Sequence, residues 1–175
     1  SLIFTSKYTQ TSAPMRHLRI ATLSLMAGLS AVTAVPLLAQ PCASPSNIYT
    51  FYYDGNTYEV VRQNMNWVTA ATCAVERNGV LVEINSVAEQ DTINHHLALA
   101  GINNANTVAP DGGGAAYVWT GGNDLAVEGQ WIWDGDNNGS GAQFWQGNYT
   151  GSAVGGAFIN WGSSGFGSEP DDYGS

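Results

Sequence analysis

Residues 119–133 read Trp-Thr-Gly-Gly-Asn-Asp-Leu-Ala-Val-Glu-Gly-Gln-Trp-Ile-Trp and hold three of the six tryptophans in the chain. A short strand candidate at 117–120 leads into the stretch, and another, 130–133, closes it; the residues between are polar or glycine-bearing. Large rings set beside glycines are the opposite of a flexible linker, which carries no bulky apolar side chains. Moving outward, 18 of the 21 glycines lie at residue 101 or later, together with Trp145 and Trp161. That composition predicts long ordered loops held in place by indoles.

The preceding residues, 47–100, have a different character. Tyr49 to Tyr53 and Thr57 to Arg62 are β-rich runs around Asp54-Gly55, a two-residue hairpin signal. A helix is predicted from Trp67, capped by Asn66, with Trp67, Ala70, Ala71, Ala74 and Val75 on its apolar face and Asn78-Gly79 ending it. Val80, Val82 and Ile84 then run extended. Ser86 and Glu89 form the S-x-x-E box of a second helix, whose stripe is Ile93, Leu97 and Ala100 and which Gly101 stops. The predicted class is α+β, without internal repeats.

Charge narrows the possible partners. The chain has 175 residues, of which 44% are hydrophobic and 11% charged, with a formal charge of −9. Lys7, Arg16 and Arg19 lie in the first 40 residues, leaving Arg62 and Arg77 against 14 carboxylates, or 2 − 14 = −12, in the remainder. Such a body does not neutralise rows of phosphates, which excludes nucleic acid and anionic membrane surfaces as partners. An acidic surface favours cations and neutral ligands.

The order basic, apolar, small describes residues 15–39. Met15-Arg16-His17-Leu18-Arg19 is followed by an uncharged run from Ile20 to Leu38, with Ala39 placed for cleavage. This is the pattern of a secretory signal peptide. The rival, an uncleaved anchor helix, is weakened by Gly28, Ser30, Thr33 and Pro36, so no stable membrane span is expected after cleavage. Residues 1–14 precede Met15, read as upstream sequence and are expected to have no structure. The body is expected to be secreted, periplasmic or held at the cell surface. In that oxidising setting Cys42 and Cys73 either pair, closing a loop of about 30 residues worth roughly 3 kcal/mol, or remain as one buried and one exposed thiol.

Five pieces in order carry a resemblance: Trp67 with Ala70; Leu81, Ile84, Ser86, Glu89 and Gln90; Trp119 to Gly122; Glu128 to Trp133; and Asn160-Trp161 followed by Glu169-Pro170-Asp171. Together they resemble a C-type lectin-like domain of the bacterial, cysteine-poor kind, over roughly residues 49 to 173 within a domain placed at 47–175. The resemblance implies two helices flanking a small, mostly antiparallel sheet, topped by a long irregular loop region. Two departures stand out. The family's first core cysteine would fall at Ala74, one residue after Cys73. Members of the family also continue past the E-P-x motif with further strands, so the sequence is expected to be a fragment at both ends.

The resemblance further implies a calcium site. Ca²⁺ prefers carboxylate oxygens, and in the family a cis bond before the proline turns its two neighbours toward one point. Glu169 and Asp171 would then ligate the ion and hydrogen-bond a sugar diol, with Asp172 a further ligand or a solvated neighbour. Trp161 is a candidate for stacking on the sugar. E-P-N is associated with mannose-type and Q-P-D with galactose-type diols; Glu169-Pro170-Asp171 is a hybrid and does not choose. Without the family context the same four residues read as an acidic surface turn.

Other motifs carry less. Asp134-Gly135-Asp136-Asn137-Asn138-Gly139 matches the opening of an EF-hand loop, but position twelve is Trp145 rather than a bidentate Glu, so it reads as a polar turn. His95 and His96 are adjacent on a helix, point apart and read as exposed. Trp67, Trp131 and Trp133 are assigned to the core. No catalytic motif is present, and a non-catalytic module is expected. Its partner is a surface glycan bound through calcium or, alternatively, an extracellular protein bound without it.

Overall fold

The computed structural model describes residues 3–9, 41–102, 118–164, 167–168 and 170. In chain order the strands and helices are β1 (Ile3–Thr9), β2 (Ile48–Tyr53), β3 (Asn56–Val61), α1 (Trp67–Glu76), β4 (Val80–Leu81), α2 (Val87–Leu99) and β5 (Val118–Trp119). There follow β6 (Gly122–Asn123), β7 (Gln130–Trp133), β8 (Gln143–Gln146), β9 (Ser152–Ala153), β10 (Ser163–Ser164) and β11 (Gly167–Ser168). All belong to one compact unit.

Local chemistry explains the first half. Asp54 and Gly55 both have positive φ, 47° and 74°, as a two-residue turn between right-twisted strands requires. Asn66 Oδ1 accepts the Thr69 N–H at 2.8 Å and starts α1. Ser86 Oγ accepts the Glu89 N–H at 3.1 Å and starts α2. The Glu89 carboxylate reaches one residue beyond the usual capping box and accepts the Asn85 N–H at 2.8 Å. Its other oxygen takes the Tyr58 hydroxyl at 2.6 Å, so a cap also joins α2 to β3. Burial and the adjacent carboxylate raise the Tyr58 pKa far above the phenolic range.

The larger sheet runs β2-β3-β1-β4, with β5 parallel to β1. Side chains from β3 enter two cores on opposite faces. Val61 packs with Ala70, Ala71 and Ala74 of α1, whereas Tyr58 and Val60 pack with Ile93 of α2. The helices therefore flank the sheet, and the α+β expectation holds. Glu59, almost fully buried, is held by Arg77 at the end of α1 through two contacts of 2.6 and 2.8 Å. Arg62 donates to the Ser46 carbonyl at 2.7 Å and to that of Ala100 at 3.4 Å. Both arginines of the body thus serve the scaffold.

Several expectations are corrected. Residues 1–14 were expected to be structureless, yet Ile3–Thr9 is a strand inside the sheet, paired with β3 over six residues. Val75, expected on the core face of α1, is 48% exposed, and Cys73 is buried in its place. The reason is the Cys42–Cys73 disulfide, with a Cα–Cα distance of 5.5 Å, which turns the Cys73 edge of the helix inward. The extended run expected from Val80 through Ile84 pairs only at Val80 and Leu81. The half expected to hold long loops has strands at both places read from sequence, β5 within 117–120 and β7 at 130–133, and β7 belongs to a second, antiparallel sheet, β6-β7-β8-β9, with a bulge at Trp131/Ile132. The other three strands of that sheet have two to four residues, too short for a period-two pattern to register.

Backbone bonds join the two sheets around Leu81. The Leu81 N–H donates to the Gly135 carbonyl at 2.9 Å, Gly121 N–H to Val82 O at 2.9 Å and Asp134 N–H to Gly121 O at 2.9 Å. Reciprocal indole bonds fasten the start of α1 to β5. Trp67 Nε1 donates to Thr120 O at 2.8 Å, and Trp119 Nε1 to Met65 O at 3.0 Å.

Candidate functional site

Where the second sheet meets α1 and β5, the tryptophans line a half-open cavity of about 430 Å³. Trp67, Trp119, Trp131, Trp133, Phe144 and Trp161 contribute its aromatic wall, with Gln90, Thr120 and Asn160 as the polar exceptions. Trp133 stacks on Phe144 at 4.2 Å and 19°. Trp161 meets Trp131 edge-on at 5.2 Å and Trp145 at 6.0 Å. Gly122 permits this packing, since a Cβ there would stand 3.0 Å from the Phe144 ring. Trp67, Trp131 and Trp133, assigned to the core from sequence, are each only half-buried: Trp67 packs against the α1 core cluster, whereas Trp131 and Trp133 line the cavity and pack on Trp161 and Phe144.

Trp161, read from sequence as a sugar-stacking residue, lies half-buried in this cluster. Its Nε1–H is shielded from solvent and, among the described residues, has no hydrogen-bond partner; the same holds for Asn123 Nδ2. Buried donors without acceptors are uncommon in folded proteins. The sequence missed the cavity because its walls come from segments as distant as Trp67 and Trp161. The available signal was the density of tryptophan after residue 101.

The Asp134 loop is a polar turn, as read. Asp134 is 3% exposed, and its two oxygens accept the N–H groups of Asn138 at 2.8 Å and Gly139 at 3.1 Å. Asn137 takes a positive φ of 57° to close the turn. Each Asp134 oxygen thus caps one backbone N–H of the turn. Among the described residues, no group of three or more His, Cys, Asp or Glu side chains is placed to hold a metal. Glu169, Asp171 and Asp172 lie outside the described residues. Pro170 between them is described, and it is buried.

The histidine reading needs one correction. His95 is exposed, but His96 is half-buried, stacked on Phe51 at 4.1 Å and bonded through Nδ1 to the Tyr49 hydroxyl at 2.9 Å. Burial first, and the neighbouring His95 second, lower its pKa below the ordinary 6.5. The folded state thus favours the neutral ring. The stabilisation is fully present above pH 6.5 and is lost as the pH falls through the lowered folded-state value. Thermal melts should accordingly drop from pH 7 toward pH 5, with a shallower drop in His96→Gln. An identical pH slope in that variant would rule His96 out as the source.

A family model described as the lectin C-type domain matches residues 63–172. This chain belongs to the C-type lectin domain family. The match begins just before α1 and ends at Asp172, so it includes the Glu169–Asp172 acidic stretch and the whole second sheet. It leaves β1 and the β2–β3 hairpin outside. Comparison with curated proteins and with solved structures gives no match. Lectin C-type domains are, in general, non-catalytic modules that bind carbohydrates or proteins.

Typical C-type lectin domains bind Ca²⁺. The donor chemistry of Glu169, Asp171 and Asp172 suits such a hard cation, with three carboxylates in four residues. No described helix is long and apolar enough to cross a membrane.

Proposed function

We propose that this protein is an exported, non-catalytic carbohydrate-binding module that holds its sugar through a calcium ion at Glu169, Asp171 and Asp172. The observation that carries the reading is the lectin C-type match running through Asp172. The cation supplies a Lewis-acidic centre for a vicinal diol. Glu169 and Asp171 ligate it and take hydrogen bonds from the diol hydroxyls, while Trp161 offers an apolar ring face nearby in sequence. Two further features support the reading: the acidic body with both arginines engaged, and the Cys42–Cys73 disulfide, which fits an oxidising exterior compartment.

Retention of the full chain on mannose and galactose resins, in millimolar Ca²⁺ and in excess chelator, tests this. Retention should require Ca²⁺, be released by free sugar, and fall at least about tenfold in Glu169→Ala, as loss of a ligand near 1.4 kcal/mol or more implies. Retention indifferent to chelator and to Glu169→Ala would end the calcium reading. A protein partner bound without calcium is the second reading. It is favoured by Leu125, Val127 and Tyr149, 73, 51 and 59% exposed on the turns of the second sheet.

A further inference from the structure

Two Asn-x-Ser/Thr triplets stand in the sequence, Asn138-Gly139-Ser140 in the turn before β8 and Asn148-Tyr149-Thr150 in the turn after it. On the surface of an exported chain such a triplet is the acceptor sequence of Asn-linked glycosylation. The first overlaps the Asp134 motif, whose outer half has no role in the lectin reading. Residues 137–142 are all exposed, while buried Asp134 holds the turn from beneath through the N–H groups of Asn138 and Gly139. The Asn138 side chain thus stands on a turn whose backbone is fixed.

Both ends of the Asn138 carboxamide are engaged. Its Oδ1 accepts the Ser140 N–H at 2.9 Å and the Ser140 hydroxyl at 2.5 Å, and its Nδ2 donates to Asp136 Oδ2 at 2.7 Å. A backbone N–H only donates and a carboxylate only accepts, so these neighbours fix which end is oxygen and which is nitrogen. An amide nitrogen is a poor nucleophile because its lone pair is shared with the carbonyl. Two donors on Oδ1 draw negative charge onto that oxygen and make the Nδ2–H more acidic, and the Asp136 carboxylate is in place to take the proton. Asn148 has only the first half of this arrangement. Its Oδ1 accepts the Thr150 N–H at 3.0 Å and the Thr150 hydroxyl at 2.8 Å. Two residues before it, however, stands Gln146, whose Nε2 donates to the Gly129 carbonyl at 3.1 Å.

We propose that Asn138 is an acceptor for Asn-linked glycosylation, with Asp136 and Ser140 preparing its carboxamide. The co-substrate is an oligosaccharide carried on a polyprenyl pyrophosphate, and a separate oligosaccharyltransferase makes the transfer. Nδ2 attacks the anomeric carbon of the first sugar. A C–N bond forms as the C–O bond to the pyrophosphate breaks, and the lipid pyrophosphate leaves with the electron pair. One Nδ2 proton passes to the Asp136 carboxylate. The modification rests on the export part of the reading above, because such transferases act on exported chains; calcium and sugar binding do not enter into it.

The test incubates the full chain, folded and oxidised, with a single-subunit oligosaccharyltransferase that accepts bare Asn-x-Ser/Thr peptides and with its lipid-linked oligosaccharide. Site occupancy is read by mass spectrometry. Asn138 should be modified at an initial rate at least about tenfold above Asn148, the scale of one charged hydrogen bond. Asp136→Asn should lower the Asn138 rate by at least about tenfold and leave Asn148 unchanged. Ser140→Thr should keep the modification and Ser140→Ala abolish it. An unmodified Asn138 in the folded chain, beside a synthetic peptide of residues 134–142 that the enzyme does modify, would overturn the proposal. Equal rates at Asn138 and Asn148 would also overturn it, and this wild-type comparison decides even where a variant fails to fold. The reaction in vitro needs neither export nor calcium, so its failure is distinct from failure of the lectin reading. The chain recovered after export should carry a glycan on Asn138 that a peptide N-glycosidase removes; a bare Asn138 in that exported chain would overturn the proposal as well.

Discussion

Gly135→Ala is expected to destabilise the domain by about 3 kcal/mol or more, the upper end of what overpacking costs together with a lost hydrogen bond. A Cβ at this position would overlap the Leu81 carbonyl oxygen and stand 2.9 Å from the Leu81 nitrogen. The obstacle is backbone, not the end of a flexible side chain, so relief requires moving either β4 or the loop after β7. That movement would break the 2.9 Å bond from Leu81 N–H to Gly135 O. It would also disturb Gly121, whose own Cβ would lie 2.9 Å from the same Leu81 oxygen. Leu81 is fully buried, so water cannot replace the lost bonds. Because this junction positions the second sheet and its aromatic wall, ligand retention should fall with stability.

Urea unfolding of Gly135→Ala beside Gly139→Ala is the decisive comparison. Gly139 has φ of 81° with open space around it, so alanine there meets only backbone strain, about 1–2 kcal/mol. Equal midpoints for the two variants would show that the Leu81 contact carries no special cost.

Loss of the Cys42–Cys73 bridge should be of similar size. Its 31-residue separation corresponds to about 3.5 kcal/mol of restricted unfolded-state entropy at 25 °C. Against a typical total of about 5–15 kcal/mol this is a large share. The bridge also holds Cys42 and its neighbour Ala43, 1% exposed, against Ala70, Ala71 and Ala74 of α1. Reduction should therefore loosen that core cluster before the Tyr58–Glu89 side of the sheet. The melts of the reduced protein and of the Cys42→Ala/Cys73→Ala double variant should agree with each other and lie well below that of the oxidised protein. A melting temperature unchanged by reduction would mean the bridge constrains nothing that unfolding releases.

Some of this architecture was legible because its causes are local. Asp54-Gly55 needs positive φ, and Asn66 and Ser86 need a free N–H two or three residues ahead; the hairpin and both helix starts follow from residues within one turn. The ordered motifs from Trp67 to Asp171 placed the chain in its family, because they record packing that the family's fold imposes on sequence.

Contacts between distant segments were decided elsewhere. Cys42 and Cys73 pair only because folding brings the segment before β2 against α1, at a Cα–Cα distance of 5.5 Å, and Cys73 is then buried while Val75 is exposed. His96 looks like its exposed neighbour His95 until Phe51 and Tyr49 arrive from β2 to cover it. Ile3–Thr9 contains nothing that announces a central strand, since a strand's place depends on which edges are open, not on its own alternation. Sequence by itself determined the local turns, the helix caps, the charge and the family. Tertiary structure alone decided the bridge, the aromatic cavity around Trp161 and the strand that completes the sheet, because each depends on groups far apart in the chain that meet only when it folds.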